Sequence, residues 1–192
     1  MYTVYFDFET GGVEMTHPNI SLAAVTVDEK GVEIDKFYRL IQFDESTAQP
    51  EALRINHYEV ERWKADARTE REVLLAFLVF VNRFKSLTLT SAKSGNPYQV
   101  ARLAGYNSAS FDGPRLQALC DKYGAFPPFR RPTLDVLQLF LDYSDRNGIR
   151  LTNNKLSTVA QYFKIPIDGA HDALEDCRMT AAIHFAMNRV PA

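Results

Sequence analysis

The chain has 192 residues, 46% of them hydrophobic, and a formal net charge of −2. This length and apolar content predict a single domain over residues 1–192 with a sizeable core. The slightly acidic balance excludes a broadly basic nucleic-acid clamp, and no apolar run reaches the roughly 18 residues that a membrane-spanning helix needs.

Cysteine usage and the start of the chain bear on the compartment. Cys120 and Cys177 both lie in apolar helical patterns, which predicts two buried thiols and no disulfide. The first apolar run begins at Tyr2, which leaves no room for a signal peptide. A cytoplasmic location without membrane contact is therefore expected.

The first predicted element is a strand over Tyr2–Glu9, which is rich in aromatic and β-branched residues. Side chains alternate along a strand, so Asp7 and Glu9 share one face, roughly 6.6 Å apart. Two desolvated carboxylates repel each other, and a hard divalent cation between them would relieve that repulsion. The competing interpretation is an ordinary solvated strand end before the turn at Gly11.

Two more strands are predicted at Ile20–Val27 and Gly31–Ile41, joined by a turn at residues 28–31. With the first strand they form a β-meander. Pro50–His57 predicts a short helix, and Thr69–Phe84 a longer one that Thr69 caps.

The segment Lys85–Tyr98 contains Ser, Thr, Lys, Gly, Asn and Pro around the sequence TLT, which predicts a loop or a small hairpin before the fourth strand. It is either a spacer or a flap that faces the substrate. The residue pattern leaves both roles open.

A second acidic position follows the apolar run VARLAGY at residues 100–106. After Asn107 the stretch ASFDGPRLQALC predicts an amphipathic helix, with Asp112 at its start and Pro114 in its first turn. Asp112 taken alone fits a helix cap as well as a metal ligand.

The last third of the chain predicts a final strand at Thr133–Val136 that enters a helix, a helix at Lys155–Phe163, and a terminal Ala-rich helix from about Asp172. His171 then lies in the preceding loop. Asp176 heads an apolar stripe on that terminal helix, where a carboxylate is costly unless it is neutralised; a partly exposed first-turn acid is the alternative.

Together, FDFETGG, GYNSASFD and HDALEDCRMTAA resemble, in order, the three motifs of the DnaQ-like (DEDDh) superfamily of 3′–5′ exonucleases. The resemblance implies an RNase H-like α/β fold, with a central mixed five-stranded sheet flanked by helices. It also implies that Asp7, Glu9, Asp112 and Asp176 bind two Mg²⁺ or Mn²⁺ ions and that His171 is the general base. The sister subclass has tyrosine four residues before the last aspartate, where this chain has Asp172.

The sequence departs from the family pattern at three positions beside the acids. Gly11 replaces the second threonine of the first motif, Tyr106 replaces a histidine, and Cys177 replaces an alanine. None removes a metal ligand. The resemblance makes four residues candidates for contacting the terminal nucleotide: Thr10, Gly11, Asn107 and Phe111.

The expected function is metal-dependent hydrolysis of phosphodiester bonds from the 3′ end of nucleic acid, releasing nucleoside 5′-monophosphates. The partner is a 3′ end, single-stranded, with DNA favoured over RNA. The alternatives are an exoribonuclease or oligoribonuclease of the same family, a phosphodiesterase for small nucleotides, and a non-catalytic nucleic-acid-binding module. A homodimer or another protein partner stays open.

Overall fold

The computed structural model describes residues 1–167 and 172–188. Its main sheet has five strands in the order β3-β2-β1-β6-β7. These strands are β1 (Thr3–Thr10), β2 (Asn19–Val27), β3 (Glu33–Leu40), β6 (Leu103–Gly105) and β7 (Leu134–Asp135). The first three are antiparallel and the last two run parallel to β1, so the predicted mixed five-stranded sheet is confirmed.

A separate two-stranded hairpin, β4 (Leu87–Thr90) and β5 (Pro97–Val100), lies between β3 and β6 in the chain. It confirms the small hairpin predicted for Lys85–Tyr98, while its role as spacer or flap stays a prediction.

Seven α-helices surround the strands in the described part of the chain. They are α1 (Pro50–Ile55), α2 (Val60–Asp66), α3 (Glu70–Asn82), α4 (Asp112–Lys122), α5 (Val136–Asn147), α6 (Leu156–Tyr162) and α7 (Ala173–Asn188). The capping box predicted for α3 is present: the Thr69 hydroxyl accepts from Glu72 N, and the Glu72 carboxylate accepts from Thr69 N. None of the helices among residues 1–167 and 172–188 is long and apolar enough to cross a bilayer.

The two faces of the main sheet bury different side chains, which decides where the acids lie. Phe6 packs against Phe77 of α3 on one face, with ring centroids 6.2 Å apart. Tyr5 and Val25 belong to the core on the opposite face, under α5, α6 and α7. Because side chains alternate along β1, Asp7 and Glu9 lie on the Tyr5 face, which is also the α7 face.

Two features of the fold differ from the sequence prediction. Helix α2 was not predicted, because its sequence VERWKAD is short and charged and buries only Trp63, whose indole Nε1 donates to the Ile20 carbonyl. The aromatic run FPPF at residues 126–129 predicts packed rings. Phe129 is buried, but Phe126 is 85% exposed, so that prediction is wrong for Phe126.

Candidate metal centre and active site

Three carboxylates meet where β1 passes the first turn of α7. Asp7 and Glu9 come from β1, and Asp176 comes from α7. One oxygen from each lies within 4.8 Å of the oxygens of the other two. The structure thus brings together residues that are more than 160 positions apart in the chain.

Asp112 joins this group electrostatically from the start of α4. Its side chain is buried, and its carboxylate Oδ1 accepts a hydrogen bond from Phe8 N at 3.1 Å. The bond ties α4 to β1 between the two acids of that strand. Asp112 therefore contacts a neighbouring strand and does more than begin a helix. We call Asp7, Glu9, Asp112 and Asp176 the acidic cluster.

The carboxylates of the acidic cluster are destabilised by burial and by their mutual repulsion. Burial raises the pKa of Asp7 well above its usual range, and the charges of Asp112, Glu9 and Asp176 raise it further. Burial and the neighbouring acids raise the pKa of Glu9 to about 8, and burial raises the pKa of Asp112 to about 7. Without a cation, the cluster holds protons at neutral pH that ordinary carboxyl groups have lost.

A divalent cation fits this group. The donors are all carboxylate oxygens, the ligands that Mg²⁺ and Mn²⁺ prefer, and the oxygens of Asp7, Glu9 and Asp176 lie close enough together to share one ion. A bound cation would also reverse the repulsion that raises these pKa values. The donor chemistry therefore agrees with the ions that the sequence implies.

His171, the predicted general base, lies outside the described residues. The neighbouring Asp172 is described, and its carboxylate accepts from Leu174 N at 2.9 Å and from Glu175 N at 3.4 Å. Asp172 therefore caps the start of α7. The role of His171 stays a prediction.

A pocket of about 630 Å³ opens beside Asp176. Its polar lining includes Tyr106, Asn107 and Lys155. Asn107 has a positive φ of 58°, and its N–H donates to the Asp135 carboxylate. Asp135 also accepts from Leu137 N at the start of α5, so one carboxylate fixes both the turn at Asn107 and the helix that follows.

The other candidate substrate residues have partners within the protein. The Thr10 hydroxyl donates to the Gly12 carbonyl at 2.8 Å. Gly11 is packed so closely that a Cβ there would meet Ala48 Cβ at 2.7 Å, so the loop after β1 requires glycine. The Phe111 ring stacks with the guanidinium of Arg115, whose carbon lies 4.6 Å from the ring centroid.

Comparison with known proteins agrees with this arrangement. A model of the exonuclease family RNase_T matches residues 98–184. The fold matches a structure of exonuclease I with a TM-score of 0.76 and 17% identity, over 97% of this chain and 40% of that one. The family model thus covers a little less than half of the chain, and at this identity the solved structure shows a shared fold.

Two further solved structures match the fold of this chain. The zinc-bound form of an E. coli ExoI–ssDNA complex has a TM-score of 0.72 and 17% identity, and covers 95% of this chain and 39% of that one. E. coli exonuclease I in complex with a dA16 oligonucleotide has a TM-score of 0.73 and 16% identity, with the same coverage. This chain thus spans about two fifths of the length of those structures. No match was found among curated proteins.

One residue that positions the candidate site was missed by sequence reasoning. Arg115 of α4 is 2% exposed, and its guanidinium donates to the carbonyls of Glu14 at 2.6 Å and His17 at 3.1 Å. It holds the loop that follows Glu9 against the helix that carries Asp112. A single arginine in a helical pattern gives no local signal of this role.

Proposed function

We propose that this chain is a DnaQ-like exonuclease. It hydrolyses phosphodiester bonds stepwise from the 3′ end of single-stranded nucleic acid, with DNA favoured over RNA, and releases nucleoside 5′-monophosphates. The observation that carries the proposal is the acidic cluster, which gathers four carboxylates from three separate elements. The pKa values of Asp7, Glu9 and Asp112 are raised, and oxygens of Asp7, Glu9 and Asp176 lie within reach of one cation. Such a cluster costs folding stability, and a ligand of opposite charge explains why the cost is tolerated.

In this proposal, Asp7, Glu9, Asp112 and Asp176 hold two divalent ions, Mg²⁺ or Mn²⁺. When bound, such ions polarise the phosphoryl oxygens, activate a water and stabilise charge on the departing oxygen. His171 accepts the proton of the attacking water, a role that suits a side chain with an ordinary pKa near 6.5.

We further propose that the pocket beside Asp176 receives the terminal nucleotide. Asn107 lines the pocket, and Asp135 fixes the backbone of Asn107. The side-chain amide of Asn107 is therefore the best candidate for contacting that nucleotide. Lys155 lines the same pocket and supplies a positive charge near a phosphate. Thr10, Gly11 and Phe111 remain candidates that act through the loop after β1 and the start of α4.

Solved neighbours support nucleic acid as the substrate class. Structures of E. coli exonuclease I contain a dA16 oligonucleotide in one case and a dT13 oligonucleotide in another. Those proteins are similar to this chain in fold at 16% identity, so the preference for DNA is a proposal here.

The test uses oligonucleotides labelled at the 5′ end: single-stranded DNA, duplex DNA and RNA, each with Mg²⁺, Mn²⁺ or EDTA. We expect a ladder that shortens one nucleotide at a time, fastest on single-stranded DNA, and no reaction in EDTA. The Asp7→Asn variant serves as the matched inactive control, because it removes one charge while keeping the shape of the side chain.

Three results would contradict the proposal. Binding without shortening would indicate a non-catalytic module, and turnover of small nucleotide esters alone would indicate a phosphodiesterase. Equal activity of wild type and Asp7→Asn would show that the acidic cluster is not the reaction centre. A faster reaction on RNA would reverse the sugar preference only.

A further inference from the structure

A second charged site lies at the edge of the main sheet, between β3 and α2. It is a pocket of about 470 Å³ lined by Tyr38, Arg39, Leu40, Arg62, Asp66 and Arg68. We call it the arginine pocket. It gathers three positive charges and one negative charge in a chain whose formal net charge is −2.

The three arginines make no close contact with a carboxylate in the described part of the chain, although the charge of Arg68 lowers the pKa of Glu72. Across residues 1–167 and 172–188, none of Arg39, Arg62 and Arg68 forms an ion pair. Other arginines do: Arg178, for example, pairs with Glu33 and Glu175, which makes it a poor phosphate ligand. The positive charge of the pocket is therefore available to an external anion.

The arginines are nevertheless held in place by uncharged contacts. The Arg62 guanidinium lies over the rings of Tyr38 and Trp63, at 6.0 and 5.7 Å from their centroids. Arg68 Nη1 donates to the carbonyls of Asp66 at 3.2 Å and Ala67 at 3.1 Å at the end of α2. Each guanidinium has five N–H donors, so these contacts orient the group and leave donors for a phosphate.

The arginine pocket is connected to the acidic cluster through Tyr38. In the sheet, Asp7 pairs with Ala23, and Ala23 pairs with Tyr38, so the three side chains share one face. Burial raises the pKa of the half-buried Tyr38 hydroxyl, Arg62 lowers it, and Asp172 and Glu9 raise it. Tyr38 thus lies between the arginines and the acids.

The spacing of the two sites suits a polymer. Asp7 and Tyr38 are separated by two inter-strand intervals, or about 10 Å. A stacked nucleic-acid strand advances about 3.4 Å per nucleotide, so this interval corresponds to roughly three nucleotides. A mononucleotide at the acidic cluster does not span the interval, whereas a longer strand does.

We propose that the arginine pocket binds a backbone phosphate of the substrate strand, a few nucleotides to the 5′ side of the bond that is cut. The proposal rests on the proposed function, because it assumes that a strand end occupies the acidic cluster. The pocket makes the protein prefer polymers to nucleotide esters, and Asp66 weakens the hold on the phosphate.

The first experiment measures binding without catalysis. Fluorescence anisotropy of a labelled oligothymidylate in EDTA is followed over a range of salt concentrations, for wild type and for Arg62→Gln/Arg68→Gln. We expect the variant to bind about tenfold more weakly at low salt, with a salt slope shallower by about 0.7 for each lost phosphate contact. Asp66→Asn is expected to bind about twofold to threefold more tightly.

The control is Arg146→Gln/Arg150→Gln, two exposed arginines that pair with Asp142 and Asp145 of α5. It removes the same two charges from the chain and is expected to leave both affinity and slope unchanged. Equal weakening by this control and by the pocket variant would show that only net charge matters and would overturn the proposal. Unchanged affinity and slope in the pocket variant would overturn it as well.

The second experiment compares a long and a short substrate. The ratio of kcat/KM for oligothymidylate to kcat/KM for the p-nitrophenyl ester of thymidine 5′-monophosphate is expected to fall about tenfold in Arg62→Gln/Arg68→Gln, mainly through KM. An unchanged ratio would mean that the two arginines do not contribute to binding the longer strand, and would refute the proposal. If wild type turned over neither substrate, the proposed function would fail, while the anisotropy result would still decide whether the pocket binds phosphates.

Discussion

The acidic cluster and the arginine pocket are neighbours that differ in the sign and the burial of their charges. The acids come from the interior of the sheet and the first turns of two helices, and burial raises the pKa values of Asp7, Glu9 and Asp112. The arginines lie at the exposed edge of the sheet, oriented by aromatic rings and backbone carbonyls. The carboxylates of the acidic cluster thus repel one another, whereas the arginines of the arginine pocket can still attract an anion.

The difference indicates what each region is for. Interior repulsion is relieved by small cations that enter the cluster, whereas exposed arginines gain most from a large anion that approaches along the surface. A phosphodiester strand with divalent ions satisfies both regions at once.

Removing one acid is expected to have the largest effect on this contrast. Asp7→Asn should lower the rate of hydrolysis by about 10³-fold or more, because it removes a carboxylate from the centre of the cluster. Steady-state rates on single-stranded DNA test it. Asp142→Asn, an exposed acid paired with Arg146, is the control and should keep full activity. More than a tenth of wild-type activity in Asp7→Asn would remove this acid from the reaction centre.

The next effect concerns stability and compares a buried arginine with an exposed one. Arg115→Met should lower the free energy of unfolding by about 3 kcal/mol, since the carbonyls of Glu14 and His17 lose their buried donor. Arg62→Met should change it by less than about 0.5 kcal/mol. Urea unfolding measures both. Similar losses in the two variants would mean that Arg115 does not fasten the loop.

His171→Ala separates proton transfer from metal binding. We expect turnover to slow by about 10²-fold while the affinity for Mn²⁺, measured by calorimetry, changes less than about threefold. His57→Asn is a suitable control, because His57 is exposed and has a φ of 51° that asparagine tolerates. A large loss of Mn²⁺ affinity in His171→Ala would make this residue a ligand.

The smallest expected effect is the pH dependence of the metal-free protein. The pKa of Glu9 is raised from an ordinary value of 4.5 to about 8 in the folded state, so the folded protein holds this proton more tightly than the unfolded chain. Its stabilising contribution is complete below pH 4.5 and is lost as pH rises towards about 8.

Thermal melts in EDTA across this range measure the effect, and the difference between wild type and Glu9→Gln isolates it from other titrating groups. Adding Mn²⁺ at pH 8 should restore the melting temperature in wild type more than in the variant. A wild type that gained stability relative to Glu9→Gln with rising pH would contradict the raised pKa.

Sequence reasoning predicted the parts of the molecule that local pattern determines. The alternation of β1 paired Asp7 with Glu9, the spacing at Thr69 predicted the cap of α3, and the order of the three motifs predicted the RNase H-like fold. Local pattern also marked Asp112 and Asp176, although each had an ordinary helical interpretation when taken alone.

The rest depends on contacts between distant segments. Arg39 and Arg62 meet only because β3 packs beside α2, and Arg115 reaches Glu14 across 101 positions. No sequence pattern indicated that Asp135 would hold the turn at Asn107, 28 positions away. Such residues become visible only when the chain is folded.

The central position of β1 in the sheet affects how the protein unfolds. This strand has hydrogen-bonded neighbours on both sides, β2 and β6, so its amides should exchange with deuterium among the slowest in the molecule. Activity and the main sheet should therefore be lost at the same melting temperature, because Asp7 and Glu9 stay in place until β1 itself unfolds.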